Sequence, residues 1–315
     1  MNDVAAQPTS ASGSRYALSA SRRRLRRAKE RVIESALFLA GASSVLITLG
    51  IVGTLIYESA AFFRHVSLVE FLTGTQWTPQ FADAHYGILP LVCGTAVTTL
   101  VALCVAIPVG TICAVWLSEY ASYRLREFVK PALELLSAVP TIVFGYFALL
   151  LVTPLLQRFF PELPGFNMLS AGLVIGIMIV PYVTSLSEDA MRAVPAALRE
   201  GGYALGATRI QVAWRVVFPS ALSGVSAAYI LAVSRAIGET MIVAVAAGMQ
   251  PNFTFNPARP AATITAYIVQ VSLGDLPHDS IGYQSIFAAG LTLMGMTLVL
   301  NILGHVIQRR YREAY

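Results

Sequence analysis

Residues 188–219 read EDAMRAVPAALREGGYALGATRIQVAWRVVFP, and this polar stretch between two long apolar runs decides the fold. Pro195 can occupy the first turn of a short helix, where its missing N–H costs nothing. Gly206 permits a sharp turn or a left-handed helix exit. A second short helix follows, and Pro219 ends it before the next apolar run. The pattern therefore predicts a compact helix–turn–helix on the cytoplasmic face of a membrane rather than a flexible linker.

The apolar runs around this stretch are long enough to cross a bilayer. The chain has 315 residues, of which 56% are hydrophobic and 12% are charged, whereas about 25% are charged in an ordinary soluble domain. A membrane-spanning helix needs about 20 mainly apolar residues. Six stretches meet this requirement, at about 36–57, 87–117, 132–156, 169–186, 222–248 and 283–307. The composition therefore indicates an all-α, polytopic membrane protein with six transmembrane helices.

The positions of the basic residues support this topology. If the N-terminus is cytoplasmic, 18 of the 22 Lys and Arg residues fall in cytoplasmic segments, and three fall in external loops. Such an excess on one side is the positive-inside signal, and it favours six spans over five or seven. Both termini are then cytoplasmic. The net charge of +5 reflects orientation in the membrane, and we expect no nucleic-acid partner.

The N-terminal region is polar and strongly basic, so we assign residues 1–33 to a disordered cytoplasmic tail. The apolar run after it is longer than the 7–15 residues of a cleavable signal sequence. We therefore predict that this run stays in place as the first span of a transmembrane domain covering residues 34–315. In the last external loop, the apolar stretch Ala262–Leu273 is too short to span and predicts an interfacial or re-entrant helix.

The chain carries no pattern of catalytic or metal-binding residues. Lys29 and Lys130 are its only lysines and neither follows a glycine, so there is no phosphate-binding loop of the Walker A type. The four histidines are scattered, and the three cysteines are Cys93, Cys104 and Cys113. Along one helix these cysteines are roughly 13–16 Å apart in rise, too far for a disulfide. We expect no cofactor or metal in this chain, so uphill transport would need energy from a partner or an ion gradient.

The loop after the fourth span carries a family motif. The EAA loop of ABC importer permeases has the pattern Glu-Ala-Ala-x3-Gly-x9-Ile-x-Leu-Pro, and at that spacing this chain has Glu200, Gly206, Val216, Phe218 and Pro219. The chain resembles that family, which implies a type I ABC importer (MetI-like) permease fold with the EAA loop at about 188–220. The resemblance further implies that this loop docks on a separate ATPase. The residues that it assigns to this contact are Glu200, Gly206 and Pro219, with the neighbouring Leu205, Ala207 and Thr208.

The sequence departs from the family pattern at Gly201-Gly202, where two alanines are usual. Glycine costs about 1 kcal/mol in a helix interior relative to alanine. This departure puts the stability and packing of the first loop helix in question.

Other segments resemble the PstC-type phosphate permeases in particular. They are residues 75–79 (TQWTP), 86–90 (YGILP), 134–145 (ELLSAVPTIVFG) and 235–241 (RAIGETM). The resemblance implies a bacterial inner-membrane complex with a PstA-like sister permease, two copies of a PstB-like ATPase that binds ATP and Mg²⁺, and an extracytoplasmic PstS-like phosphate-binding protein. A PstA-type subunit and a permease for molybdate, sulfate or tungstate remain alternatives.

Arg235 is the one Lys or Arg residue inside a predicted span. An arginine at mid-membrane costs about 2.5–3.5 kcal/mol on insertion scales, so a compensating contact is needed. Glu239 lies four residues later, on the same face of a continuous helix. We expect Arg235, Glu239 and Thr240 to line a substrate pathway, with the guanidinium offering paired donors to phosphate oxygens and Glu239 holding it or accepting a hydrogen bond from protonated phosphate. A purely structural ion pair is the alternative.

Two other classes of protein fit the sequence less well. A secondary transporter driven by an ion gradient would carry several intramembrane carboxylates and often internal repeats, whereas Arg235 and Glu239 are the clear mid-membrane charges here. A membrane-embedded enzyme would need a catalytic cluster. The sequence therefore favours a non-catalytic permease.

Overall fold

The computed structural model describes residues 20–81, 83–274, 276–277 and 280–310, with the backbone alone at 20–28, 307 and 310. Within these ranges the chain is mainly helical, and its extended pairings are two isolated bridges, Trp77–Tyr86 and Gly248–Ala261. Backbone contacts divide the chain into two units, Met1–Thr54 and Leu55–Tyr315. The second unit contains the EAA loop and the predicted pathway residues.

Fourteen α-helices lie in the described part of the chain. In order they are α1 (Ala20–Phe62), α2 (Leu68–Thr73), α3 (Leu89–Val115), α4 (Tyr123–Ser137), α5 (Thr141–Phe147), α6 (Thr153–Gln157), α7 (Met168–Arg192), α8 (Ala196–Ala204), α9 (Arg209–Val212), α10 (Phe218–Ser220), α11 (Leu222–Ile237), α12 (Met241–Ala246), α13 (Ile264–Ser272) and α14 (Ile281–Arg310). Single π-helical turns extend α3 to Tyr120 and join α5 to α6 and α9 to α10.

Four of these helical segments are individually long and apolar enough to cross a membrane: Lys29–Phe62, Leu89–Tyr120, Met168–Arg192 and Ile281–Val306. Two bent pairs raise the count to as many as six if each pair is one span. These are Tyr123–Ser137 with Thr141–Gln157, bent by 86°, and Arg209–Ser220 with Leu222–Ile237, bent by 74°. The upper count equals the predicted six, although two predicted spans are interrupted.

The interruptions lie at specific residues. The predicted third span, 132–156, is broken at Ala138–Pro140, between α4 and α5. The predicted fifth span, 222–248, is also not one helix, because α11 ends at Ile237 and α12 begins at Met241. Irregular backbone at membrane depth is tolerated where it is buried in protein or lines a water-filled cavity. These two breaks are therefore candidate positions for a transport pathway.

The N-terminal helix begins earlier than the predicted tail boundary suggests. Helix α1 starts at Ala20 and runs without interruption to Phe62, so residues 20–33 of the predicted disordered tail are helical. Residues 1–19 lie outside the described part of the chain.

The central packing of the second unit is between α3 and α7. Small residues bring the two helices close: a Cβ atom added at Gly176 would lie 2.7 Å from the carbonyl oxygen of Ala102, and one added at Gly172 would lie 2.7 Å from Val101 Cβ. Close approach of this kind lets membrane helices gain dispersion energy without a hydrophobic driving force. The side chains of Ile175 and Ile179 are fully buried here, so α7 lies in the interior of this unit.

A second core forms around Trp77, in the loop before α3. The Trp77 ring is buried and makes edge-to-face contacts with Phe71, Tyr86 and Tyr267. Tyr267 lies on α13, which confirms that the apolar stretch 262–273 is helical, and its hydroxyl is 2.6 Å from Ser285 Oγ. Burial raises the pKa of the Tyr267 hydroxyl. The motif at residues 75–79 is thus a packing element for this side of the fold.

Candidate functional site

The EAA loop folds as the predicted helix–turn–helix. Helix α8 begins directly after Pro195, and the chain turns at Gly206, whose φ of +80° is in the left-handed region that favours glycine. Thr208 then opens α9 with a capping box: its N–H donates to Gln211 Oε1 at 2.8 Å. Both ends of the turn are therefore set by local chemistry.

The two glycines that depart from the family pattern have different surroundings. Helix α8 continues through both of them. A Cβ atom added at Gly201 would meet nothing within 4 Å, whereas one added at Gly202 would lie 3.1 Å from Val212 Cγ2. Gly202 thus lets α8 approach α9 closely. At Gly201, by contrast, no neighbouring atom requires the absence of a side chain.

The structure brings most of the predicted coupling residues to one turn. Glu200, Leu205, Gly206 and Thr208 are exposed there, and Leu205 is 90% exposed. Ala207 is half-buried and packs on the apolar cluster beneath the loop. Pro219 is exposed but lies further along, in α10 next to the 74° bend into α11. Sequence reasoning missed other exposed apolar side chains of the loop, which are Leu198, Tyr203, Ile210 and Trp214.

Beneath the loop, Arg199 fixes α8 to the ends of two membrane helices. Its guanidinium contacts Glu119 at the end of the α3 extension, with Nη2 to Oε1 at 3.1 Å and Nε to the two carboxylate oxygens at 3.3 and 3.4 Å. It also donates to the carbonyls of Val194 at 2.6 Å and Met191 at 2.7 Å. Glu119 is 8% exposed. The half-buried Arg199 guanidinium therefore pairs with a buried carboxylate and also donates to two carbonyls at and just beyond the C-terminus of α7.

A second ion-pair cluster joins α4 to α7 near the start of the loop. Glu188 is 1% exposed and lies 2.9 Å from Lys130 Nζ, with Arg126 and Arg192 each at 3.7 Å. Lys130 also pairs with Asp189. Sequence spacing could suggest the Arg192–Glu188 contact, which is an i, i+4 pair on α7. The Lys130–Glu188 and Arg199–Glu119 pairs join residues 58 and 80 positions apart, and no local pattern relates them.

Arg235 occupies the last turn of α11 and is held by an aromatic ring. Its Cζ lies 4.3 Å from the centroid of the Tyr182 ring on α7, within the range of a cation–π interaction. Nε is buried without a hydrogen-bond partner. Among the residues that the structure describes, the guanidinium has no carboxylate partner in ion-pair range. Its charge is therefore available to a ligand.

The expected pairing of Glu239 with Arg235 is wrong, because the helix that would place them on one face ends at Ile237. Glu239 lies beyond this break and is 7% exposed. Its Oε1 accepts from the backbone N–H groups of Met241 at 3.2 Å and Ile242 at 3.3 Å. Glu239 thus caps α12, and Thr240, half-buried, donates to the carbonyl of Gly238 at 3.2 Å.

A multi-pass helical bundle with broken spans and an exposed helix–turn–helix between two of them defines a class of protein, the permease subunits of ABC importers. The chain matches the family described as "Binding-protein-dependent transport system inner membrane component" over residues 106–313. It therefore belongs to this family of multi-pass inner-membrane transport permeases, which are non-catalytic.

Relatives with phosphate-transport names are similar along most of the chain. The "Probable ABC transporter permease protein YqgH" of Bacillus subtilis is 31% identical over 274 residues, with 87% of each chain covered. The "Phosphate transport system permease protein PstC" of Mesorhizobium japonicum is 32% identical over 293 residues, covering 86% of this chain and 88% of the relative. The PstC protein of Xylella fastidiosa is 34% identical over 251 residues, with 74% of each covered. The chain is thus an ABC importer permease that resembles PstC.

Solved structures confirm the fold. A bacterial ABC transporter "involved in the import of the acidic polysaccharide alginate" aligns with a TM-score of 0.64 at 17% identity, covering 92% of this chain and 100% of that one. The MetNI methionine ABC transporter aligns with a TM-score of 0.54 at 17% identity, covering 72% and 95%. These likenesses establish the MetI-like permease fold that the EAA motif predicted.

Proposed function

We propose that this chain is one permease subunit of an ATP-driven inorganic phosphate importer. In this proposal it forms half of the translocation pathway and hydrolyses no ATP itself. The EAA loop couples it to a separate ATPase that binds ATP and Mg²⁺. Its termini are cytoplasmic.

The coupling role is supported by the exposed apolar surface of the EAA loop. The Arg199–Glu119 ion pair holds this loop on the membrane helices beneath it. Five large apolar side chains are exposed within about one helix–turn–helix, and they are Leu198, Tyr203, Leu205, Ile210 and Trp214. A concentrated apolar patch of this kind is typical of an interaction site. The Arg199–Glu119 pair at the base ties the loop to the ends of α3 and α7. Movement of a partner bound to these side chains would therefore be transmitted to α3 and α7.

The relatives and Arg235 support phosphate as the substrate. Several relatives bear the name of PstC, and Arg235 is a membrane cation without an anionic partner among the described residues. A guanidinium suits oxyanions because its planar donors match two oxygens at once. A single cation gives a transient contact, as a pathway that must release its ligand requires. High-affinity selection then belongs to a PstS-like external binding protein.

The full complex in this proposal has a PstA-like sister permease as the second half of the pathway and two PstB-like ATPase copies. The test is uptake of radiolabelled phosphate by proteoliposomes that hold all these components, with the binding protein outside and ATP enclosed. We expect uptake that requires ATP and is not reduced by excess molybdate or sulfate. Uptake of another oxyanion would overturn the substrate assignment, and uptake driven only by an ion gradient would overturn the coupling role.

A further inference from the structure

A polar cavity of about 460 Å³ lies between the start of α11 and the end of α14. The described residues that line it are Ser223, in the first turn of α11, and His305, Gln308 and Arg309, in the last turns of α14. All four side chains can donate a hydrogen bond, and none of the four is acidic. Within the described part of the chain, Arg309 has no carboxylate in ion-pair range. The cavity therefore favours an anionic ligand with several acceptor atoms.

The same two helices pack closely on the membrane side of the cavity. Ser234 Oγ on α11 donates to Asn301 Oδ1 on α14 at 2.8 Å. Closer to the cavity, a Cβ atom added at Gly304 would lie 2.4 Å from Ile230 Cγ1. These two pairs show that the helices are antiparallel, so the cavity lies where α11 begins and α14 ends. In the proposed orientation, with the C-terminus cytoplasmic, this is the inner surface of the membrane.

The length and pattern of α14 place the cavity at the level of lipid headgroups. The apolar span Ile281–Val306 has 26 residues, or about 39 Å of rise, whereas the hydrocarbon core of a bilayer is about 30 Å thick. The end of the span therefore reaches the headgroup layer. Leu298 and Ile302 are exposed on α14. His305 and Arg309 continue the same face of the helix, because successive members of this group are three or four residues apart. This face thus changes from apolar to basic, as a ligand with an apolar tail and an anionic head requires.

We propose that this cavity binds the headgroup phosphate of an anionic phospholipid of the cytoplasmic leaflet. Arg309 pairs with the phosphate oxygens, Ser223 and His305 donate further hydrogen bonds, and an acyl chain lies along Leu298 and Ile302. Basic pockets between membrane helices on the cytoplasmic side are typical of such headgroup sites. A zwitterionic lipid also brings an ammonium group, which Arg309 repels. Free inorganic phosphate offers the same acceptor oxygens, but it gains nothing from the apolar part of the face.

The test is native mass spectrometry of the permease pair in detergent, stripped of lipid and then given phosphatidylglycerol or phosphatidylcholine at equal concentration. We expect the wild type to bind phosphatidylglycerol about tenfold more tightly, the discrimination expected of one hydrogen bond between charged groups. Arg309→Gln should remove most of this preference. Arg124→Gln is the matched control, because it removes the same charge from an exposed position on α4 that does not line the cavity.

A second measurement is the thermal unfolding midpoint. A ligand that binds only the folded state raises this midpoint, so phosphatidylglycerol should raise it more in the wild type and in Arg124→Gln than in Arg309→Gln. Inorganic phosphate in large excess should not displace the bound lipid.

Equal affinity of the wild type for the two lipids would overturn the inference, as would an unchanged preference in Arg309→Gln. Displacement of the lipid by inorganic phosphate would also overturn it and would assign the cavity to a free anion. None of these measurements requires transport or the ATPase. A negative result therefore leaves the proposed function intact, and absence of ATP-dependent phosphate uptake leaves the lipid site intact.

Discussion

Replacing Arg199 by Gln removes the cation that holds the base of the EAA loop. The Glu119 carboxylate is left 8% exposed, with Ser118 Oγ at 2.9 Å as its remaining side-chain partner. The carbonyls of Met191 and Val194 also lose the Arg199 donor, although Met191 still accepts from the N–H of Val194 at 3.2 Å. Breaking a buried ion pair by removing one partner costs about 3–5 kcal/mol. Because the Arg199 side chain retains 20% exposure, we expect the lower end, about 3 kcal/mol.

The loss of this stabilisation weakens the contact between the EAA loop and the helix ends. We therefore expect the loop of Arg199→Gln to open locally more often. A change of about 3 kcal/mol corresponds to a factor of about 100 in the opening equilibrium. The assay is hydrogen–deuterium exchange of peptides covering residues 196–212, on the permease pair in nanodiscs without the ATPase. We expect the loop amides of Arg199→Gln to exchange about 100-fold faster.

Two further variants make the test specific. Glu119→Gln combined with Arg199→Gln leaves no unpaired buried charge, so part of the protection should return. Arg209→Gln is the matched control: Arg209 is an exposed arginine of the same loop, 5.1 Å from the centroid of the Tyr120 ring, and its loss should cost only about 0.5–1 kcal/mol. Equal exchange in Arg199→Gln and wild type, or equal effects of Arg199→Gln and Arg209→Gln, would refute the reasoning.

Three other predictions concern the glycine pair, the membrane arginine and the Trp77 core. Gly201→Ala should stabilise α8 by up to about 1 kcal/mol, whereas Gly202→Ala should gain less or lose stability because its Cβ lies 3.1 Å from Val212 Cγ2; slower loop exchange only in the first variant is the expected result. Arg235→Gln should abolish phosphate uptake while leaving membrane insertion and complex assembly intact, and normal uptake would contradict the pathway role. Trp77→Ala should destabilise the complex by about 3–5 kcal/mol, measured as a lower thermal unfolding midpoint, and an unchanged midpoint would show that the aromatic cluster contributes little.

The sequence was sufficient for features that depend on local pattern. Apolar length and the bias of basic residues predicted the membrane class, and the spacing of Glu200, Gly206 and Pro219 predicted the EAA loop, because turn chemistry acts over a few residues. The same reasoning failed at residues 238–240. The i, i+4 rule that paired Glu239 with Arg235 assumes a continuous helix, and the prediction treated the apolar residues on both sides of Gly238 as one span. Gly238, followed by polar residues that can cap a new helix, was the available signal.

Contacts between distant segments could not be predicted in the same way. Arg199 and Glu119 are separated by 80 residues, and no periodicity relates a cation in a loop to a carboxylate at the end of a membrane helix. The same holds for Arg235 and Tyr182, which meet only because α11 packs against α7. The candidate site therefore depends on tertiary packing, whereas the fold class depends on patterns within single segments.

Arg235 contacts the Tyr182 ring rather than a carboxylate, and this has an energetic consequence for transport. A cation–π contact of a half-buried arginine contributes about 0.5–2 kcal/mol, which offsets part of the roughly 2.5–3.5 kcal/mol that an arginine costs at mid-membrane. A buried carboxylate partner would hold the cation more strongly, and separating such a pair costs about 3–5 kcal/mol. That cost would arise each time an anion replaced the carboxylate. A ring compensates the charge without occupying the in-plane N–H donors, so an oxyanion can bind Arg235 while the guanidinium stays on Tyr182. By directing Glu239 to the cap of α12, the helix break at residues 238–240 keeps Arg235 available to an anion.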